Sequence, residues 1–316
     1  MRIERRGVFL SYVSAKGHTR ISRELYLPKE WIDDPGRCRE AGIPEAIGFQ
    51  TKCEVARQMS ERLWNARVPF AWVVADTVYG GNLDLRLWLE AHRYAYVLAV
   101  ACDEPVGIQT ASGRKRMTVA EAEALLLDAQ DWHRLSTRSG TKGPRLFDWA
   151  IMPILHGWED DGRHCLLIRR CLDDPSEKAY YFVFAPVGTP LVEMVKAIGQ
   201  RWDIEECFET TKDMGLEDYE VRRFTSWYRH ITLVMMVEAC LASVCAAARG
   251  STAEPPSDEG TCPLLPLTMP EVRHLLAHLL WSPPRSQTLL LGWSWWRRCH
   301  QSRASFFHTK RRCAAG

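Results

Sequence analysis

Two stretches of the sequence place acidic residues where they could do chemistry. The first, "FAWVVADTVYGG" at residues 70–81, is a short apolar run that ends on Asp76 and is followed by a turn. In open α/β sheets, ligands and catalytic groups gather at the carboxyl ends of strands, which makes Asp76 a candidate catalytic carboxylate. The alternative is an aspartate that only caps or turns the chain.

The second stretch, "RWDIEECFETTK", is a predicted helix with charged residues along one face. Arg201, Glu205, Glu209 and Lys212 lie at positions i, i+4, i+8 and i+11, a spacing that aligns them. An ordinary exposed helix with intrahelical ion pairs has the same pattern. The apolar stripe of this helix is modest, which favours a face that lines a cleft.

Hydrophobic periodicity predicts the elements that position these acids. Strands are predicted at residues 7–13, 20–27, 70–75 and 94–101, and amphipathic helices at 49–66 and 82–93. The run at 94–101 has no polar alternation, which is typical of a strand covered on both faces. The order of elements predicts an α/β fold with a mixed sheet.

The second half of the chain divides by composition. Residues 102–190 are β-rich, with one short helix, a polar Gly/Ser/Lys loop at 136–145 and three strands after it. Helical periodicity then predicts one helix at 191–215 and another from about Ser226 to Ala248. A linker at 249–263, a short helix at 270–281 and a basic tail complete the chain.

The cysteines and one apolar segment indicate the cellular compartment and whether the chain crosses a membrane. The 316 residues include 11 cysteines, an odd number without any C-x-x-C pair, so neither a disulfide framework nor a zinc-finger spacing is indicated. Residues 231–248 approach the length of a membrane span. Glu238 lies in the middle of this segment, which favours a buried core helix. We expect a reduced, intracellular protein that does not cross a membrane.

The net charge of +2 hides an uneven distribution. After Glu271 the sequence contains only basic charges, at Arg273, Arg285, Arg297, Arg298, Arg303, Lys310, Arg311 and Arg312. A tail of one sign is typical of a nucleic-acid contact. The alternative is a solvated, frayed C-terminus.

These motifs together resemble those of insertion-sequence DDE transposases. In that family Tyr, Arg, Glu and Lys recur with two, three and six residues between them, and Arg201, Glu205 and Lys212 fit this spacing, with Ile198 in place of the tyrosine. The strand "WVVADTVYG" is similar to the family's second-aspartate strand. The stretches "GVFLSYV", "RELYLP", "YVLAV" and "GLEDYEVRRFTSWYRHITL" also match, in the right order.

The resemblance implies a ribonuclease-H-like fold, a mixed sheet flanked by helices with a β-rich insertion before the glutamate helix. We expect residues 1–101 to begin the catalytic domain, 102–190 to be the insertion, 191–250 to complete the domain, and 251–316 to be linker and tail. The resemblance also implies that Asp76 and Glu205 are catalytic and bind Mg²⁺, with two ions in the intact site.

DNA is the partner that the resemblance implies. Arg201 and Lys212 are expected to hold phosphates beside the metals. A basic and aromatic cluster follows the glutamate helix and is expected to contact DNA, together with the tail; its members are Arg222, Arg223, Tyr228, Arg229, His230, Arg297, Arg298, Arg311 and Arg312. The alternative for the aromatic members is core packing. Trp132, Trp149 and Trp158 are weaker candidates for contact with a flipped base.

One family residue has no counterpart in the sequence. The family's first catalytic aspartate lies on a strand before the one that matches "GVFLSYV", and Glu4 is the nearest acid. We therefore expect an N-terminally truncated transposase that is inactive alone. The alternative is a non-enzymatic DNA-binding or dimerising remnant that inhibits intact transposase. An unrelated α/β hydrolase is disfavoured, since no G-x-S-x-G motif is present. The expected location is the bacterial cytoplasm, at the nucleoid when DNA is bound.

Overall fold

The computed structural model describes residues 7–140, 143–212, 215–216, 222–250, 267–281 and 287–314. The strands in these ranges are β1 Gly7–Ser14, β2 Gly17–Leu25, β3 Trp72–Ala75, β4 Ala95–Val100, β5 Pro105–Thr110, β6 Gly113–Thr118, β7 His133–Gly140, β8 Gly143–Pro153, β9 His164–Arg170 and β10 Lys178–Phe184. The α-helices are α1 Lys29–Ile32, α2 Pro35–Ala41, α3 Lys52–Asn65, α4 Thr77–Gly80, α5 Leu83–Ala91, α6 Val119–Leu126, α7 Leu191–Gly199, α8 Arg201–Lys212, α9 Phe224–Gly250, α10 Met269–Leu276 and α11 Gln287–Ala314.

The chain forms two compact units. The sheet unit contains residues 50–138 and 145–202, and the hairpin unit contains residues 1–49, 139–144 and 203–316. The hairpin unit is therefore built from segments that are distant in the sequence, whereas the two segments of the sheet unit are separated only by residues 139–144.

The sheet unit is built on a six-stranded mixed sheet with the order β3-β4-β10-β9-β8-β7. Strands β3 and β4 are parallel, while β10 is antiparallel to both β4 and β9. A parallel pair needs a crossover connection, and α4 and α5 supply it here. The predicted α/β fold with a mixed sheet is thus confirmed, and the strands β8, β9 and β10 predicted after the polar loop join the same sheet as β4.

The apolar run of β4 is covered on both faces, as its sequence predicted. Tyr96, Leu98 and Val100 pack into one buried cluster with α5 and α6, and Val97 packs into a second cluster with α7. The alternation of side chains along a strand sends successive residues to opposite faces. Strand β3 lies at the edge of the sheet, and its four residues are all only partly buried.

The hairpin unit packs the antiparallel strands β1 and β2 against helix α9. Its core joins Leu25, Leu27 and Trp31 to Trp227 and Ile231. The predicted hairpin and the predicted long apolar helix are both confirmed.

Helix α9 has two apolar stripes. The buried residues Trp227, Ile231, Val234, Glu238, Leu241 and Cys245 recur every three or four positions and face the unit's core. The exposed apolar residues Leu233, Met236, Val237 and Val244 form the other stripe. Among the described residues α9 alone is long and apolar enough to cross a membrane. That is weak evidence for a span, because a core helix passes the same test.

Glu238 is buried as predicted, and its partner is an arginine of strand β2. The Nε atom of Arg20 donates a hydrogen bond of 3.0 Å to Oε2 of Glu238, and both side chains are 0% exposed. The guanidinium carbon of Arg20 lies 5.1 Å from the ring centres of both Phe9 and Phe208. These contacts compensate part of the cost of burying two charges.

Two sequence predictions and one alternative need correction. The helix predicted at 191–215 is two helices, α7 and α8, with a break at Gln200. The polar loop predicted at 136–145 lies mostly in β7 and β8, because pairing within the sheet outweighs the local preference of Gly and Ser for turns. The tail beyond residue 287 is the helix α11 rather than a frayed end. The linker predicted at 249–263 lies outside the described residues from position 251 onward.

The buried pair predicts a strong response to a single substitution. Glu238→Leu leaves the charge of Arg20 buried and uncompensated, so we expect it to lower the free energy of unfolding by about 3–5 kcal/mol. The double variant Arg20→Met/Glu238→Leu should recover part of that loss. Urea unfolding followed by circular dichroism measures both.

The matched control is Val237→Ala, which changes an exposed neighbour on the same helix and should change stability by about 0.5 kcal/mol or less. A loss below about 1 kcal/mol for Glu238→Leu would show that the pair is not a structural requirement.

Candidate active site and nucleic-acid interface

Asp76 lies between strand β3 and the short helix α4. It is the N-cap of that helix, and its Oδ1 accepts a hydrogen bond of 3.0 Å from the backbone N–H of Val78. Its side chain is exposed. The capping role that the sequence left open is therefore present, and it leaves the second carboxylate oxygen at the exposed carboxyl end of the strand.

Helix α4 sits directly on strand β4, and Gly80 makes this contact possible. A Cβ atom at Gly80 would lie 1.9 Å from the backbone oxygen of Ala99. The partly buried Tyr79 lies on the same short helix: burial, and then the negative charge of Asp76, raise the pKa of Tyr79 to about 12. Close backbone packing thus holds the turn that carries Asp76.

Helix α8 carries Glu205 on an exposed face. Glu205, Glu209 and Lys212 are exposed, while Cys207 and Thr211 are fully buried on the opposite side. The hydroxyl of Thr211 donates to the carbonyl of Cys207, and burial followed by the charge of Glu238 raises the pKa of the Cys207 thiol. The predicted alignment of charged residues on one face is confirmed.

Asp76 belongs to the sheet unit and Glu205 to the hairpin unit. The boundary between the units falls inside α8, between Trp202 and Asp203. That Asp76 and Glu205 act in one site remains a prediction.

Most of the predicted phosphate contacts are exposed cations. Arg201 is partly buried, with its guanidinium carbon 5.6 Å from the ring centre of Trp202. Lys212, Arg222, Arg223 and Arg229 are exposed. These positions are compatible with backbone contacts, which need no deep pocket.

Two members of the predicted aromatic cluster are already engaged inside the hairpin unit. The hydroxyl of Tyr228 donates a 2.6 Å hydrogen bond to Glu24 and accepts one from the backbone N–H of Leu25. The ring of His230 has its Nε2 3.3 Å from the carbonyl oxygen of Leu216. Base stacking on Tyr228 would compete with these contacts, and its DNA role stays a prediction.

The basic tail residues lie on helix α11. Arg297 is 3.3 Å from Oε2 of the buried Glu271, so part of its charge is compensated. Arg298 is partly exposed. Arg311 and Arg312 lie in the last turns of the helix, and their side chains are outside the described residues.

The three insertion tryptophans differ in their surroundings. Trp149 is fully buried in the sheet unit's core, whereas Trp158 is 49% exposed. Trp132 stacks under the guanidinium of Arg170, at 4.0 Å. Trp149 is thus a packing residue.

A cluster of histidines and acids was missed by sequence reasoning. Glu90, His156 and His164 bring one ligand atom each within 4.8 Å of the others. The signal in the sequence is the stretch "HGWEDDGRH", two histidines that bracket acidic residues in one loop. A second group, His18 with Asp203 and Glu206, places two further acids beside Glu205 on α8.

The two predicted metal ligands fit the magnesium that the resemblance implies. Both are exposed carboxylates, and Asp76 uses only Oδ1 in its capping bond among the described residues. Mg²⁺ prefers carboxylate oxygens that keep room for waters and phosphates.

Residues 4–144 match the family model of the DDE superfamily endonucleases. The matched range contains Asp76 and ends before Glu205. This match confirms the resemblance to DDE-type transposases and endonucleases, and the mixed sheet flanked by helices is consistent with their ribonuclease-H-like fold. It supports transposase-like nuclease chemistry and a DNA substrate. A search of curated proteins found no match.

The close contact between Gly80 of α4 and the backbone of β4 can be tested by substitution. Gly80→Ala places a methyl group against the backbone of β4, so we expect a loss of about 2 kcal/mol or more in the free energy of unfolding, measured by urea denaturation. The matched control is Gly81→Ala, whose nearest contacts would be at 3.5 Å, and which should be nearly neutral. Equal stabilities of the two variants would contradict this packing role.

Proposed function

We propose that this protein acts on DNA as a transposase-like protein whose chemistry is Mg²⁺-dependent strand cleavage and strand transfer at the ends of an insertion sequence. The observation that carries the proposal is the DDE endonuclease match over residues 4–144, with Asp76 exposed at the carboxyl end of a sheet strand inside it. The second support is Glu205, on the exposed face of α8 with the family's Arg and Lys spacing around it.

Asp76 and Glu205 are proposed to hold the metal through their carboxylate oxygens. Bound Mg²⁺ would activate the attacking hydroxyl and stabilise the leaving oxygen of the phosphodiester. The cap bond from Val78 fixes one oxygen of Asp76, which orients the carboxylate before any ion binds. This pre-orientation lowers the entropy lost on binding.

The proposed role of the cations on and after α8 is to position the DNA backbone. Arg201 and Lys212 lie at the two ends of α8, on either side of Glu205. An arginine can grip a phosphate with two parallel hydrogen bonds, and a lysine acts as a point charge. Arg222, Arg223 and Arg229 would extend the contact along the strand.

We further propose that this chain alone does not transpose DNA. The resemblance assigns two of the family's three acids here, and a two-ion site needs all of its bridging carboxylates. The activity is proposed to take place in the cytoplasm, at the nucleoid when DNA is bound.

A second candidate function is a DNA-binding, dimerising protein that inhibits intact transposase. The observation that favours it is the exposed apolar stripe on α9, formed by Leu233, Met236, Val237 and Val244. Exposed apolar patches of this kind mark protein–protein contacts. Under this proposal two chains would pair through α9 and still occupy DNA.

A nicking assay tests whether the chain cleaves DNA and whether Asp76 and Glu205 are catalytic. The purified chain is incubated with Mg²⁺ and DNA that carries the insertion-sequence ends, and we expect binding without cleavage. If the chain cleaves, Asp76→Asn and Glu205→Gln should each abolish the reaction, whereas Glu209→Gln, an exposed acid on the same helix face, should not. Cleavage that survives both substitutions would overturn the assignment of the two acids.

The DNA affinity should depend steeply on salt. Each phosphate contact contributes about 0.9 to the slope of log K against log salt concentration. Neutralising Arg297, Arg298, Arg311 and Arg312 to Ala should lower both the affinity and this slope, measured by fluorescence anisotropy. The control is Arg57→Ala, an exposed arginine on α3. Salt-independent binding, or an equal effect of the control, would count against the basic tail as a DNA contact.

A further inference from the structure

The Glu90 cluster joins three elements of the sheet unit. Glu90 is near the end of α5, His164 is the first residue of β9, and His156 lies in the loop between β8 and β9. Tyr96 of β4, Phe184 of β10 and His164 stand opposite one another across three neighbouring strands. Regular sheet pairing therefore fixes His164, and the cluster is built on rigid supports.

The carboxylate of Glu90 faces both imidazole rings. Its Oε1 is 3.3 Å from Nε2 of His164, and its Oε2 is 3.9 Å from Nε2 of His156. Two atoms that ligate one tetrahedral zinc ion at about 2.1 Å are separated by about 3.4 Å. The first distance already matches that separation, and a small rotation of the exposed His156 side chain would bring the second to it.

One atom of the cluster is buried without a hydrogen bond. His164 is 7% exposed, and its Nε2 makes no hydrogen bond although it lies beside Glu90. Its other ring nitrogen, Nδ1, is 2.8 Å from Oδ2 of Asp161. A ring that donates from Nδ1 to a carboxylate keeps a lone pair on Nε2, the arrangement that orients histidines for a metal. A cation between Nε2 and the carboxylate of Glu90 would satisfy both groups.

The two histidine rings are stacked, with centres 4.2 Å apart and planes 8° from parallel. Parallel rings cannot both direct a lone pair at one ion, so the exposed His156 ring must turn before it shares a metal with His164.

The surrounding groups hold the ligands in place. The Tyr96 hydroxyl donates a 2.7 Å hydrogen bond to Oε1 of Glu90. Oδ1 of Asp161 accepts from the backbone N–H groups of Arg163 and His164.

We propose that Glu90, His156 and His164 form a zinc site, with Asp161 and Tyr96 as positioning residues. Two imidazole nitrogens and one carboxylate suit zinc better than magnesium, which prefers oxygen ligands. The three protein ligands leave a fourth position for water. The bound ion would tie α5 to the loop before β9.

This site is separate from the proposed DNA-cleaving acids. The cluster lies beside Tyr96, near the start of β4, whereas Asp76 follows Ala75, which pairs with Leu98. Asp76 is thus about three residues, or roughly 10 Å, further along the sheet. Zinc binding can therefore be tested without reference to cleavage.

The test is zinc titration of the purified full chain, with bound metal measured after gel filtration and affinity measured by chelator competition. We expect His156→Ala to lose one equivalent of zinc that the wild type retains. His156 is 45% exposed, so this variant should still fold. His133→Ala, an exposed histidine of the same unit, should keep the wild-type stoichiometry.

Two further variants sharpen the assignment. Asp161→Asn should weaken zinc binding about 10–100-fold, as expected when a histidine ligand loses its orienting carboxylate. Asp76→Asn should leave zinc affinity unchanged, and excess Mg²⁺ should not displace the ion. Zinc should raise the Tm of the wild type but not that of His156→Ala.

Cobalt provides a spectroscopic check on the ligand set. Co²⁺ in the wild type should give the intense visible absorption of a four-coordinate site, and His156→Ala should lose it. Equal zinc stoichiometry in the wild type and in His156→Ala would overturn the proposal. The cluster would then be an ion-paired imidazolium of His164 between Glu90 and Asp161.

Discussion

Burial of β4 and β10 on both faces is the constraint on which the sheet unit depends. Strands without a solvent face need a helical layer on each side, and α5, α6 and α7 supply those layers. The layer that carries α4 must approach the sheet so closely that only glycine fits at position 80. Asp76 at one end of the parallel pair and Glu90 near the other are thus positioned by the same packing.

The hairpin unit depends on a different constraint, the burial of the charged side chain of Glu238. The helix α9 is apolar on two sides, and Glu238 interrupts the side that faces the core. Arg20 compensates it from β2, and the aromatic rings of Phe9 and Phe208 surround the guanidinium. Because Phe208 lies on α8 and packs beside this buried pair, the pair also determines which face of α8 is buried. Glu205 lies on the other, exposed face.

The sequence predicted those features that depend on local pattern. The uninterrupted apolar run of β4 indicated a covered strand, and Glu238 within an apolar segment indicated a buried helix. The partner of Glu238 was not predictable, since Arg20 lies 218 positions away. The break at Gln200 was missed because Ile198 and Trp202 keep helical spacing across it. The two histidines of the 156–164 loop are close together in the sequence. The third member of the cluster, Glu90, is brought beside them only by the pairing of β4 with β10.

The discontinuous make-up of the hairpin unit has a consequence for synthesis. Strands β1 and β2 leave the ribosome before the sheet unit, yet the helix that covers them is encoded after the whole sheet unit. The charge of Arg20 and the apolar face of the hairpin therefore stay uncovered until α9 has been synthesised. Contacts between residues so far apart in the sequence form slowly. In the interval the nascent hairpin exposes an unpaired edge and apolar side chains, which is the condition under which chaperones bind.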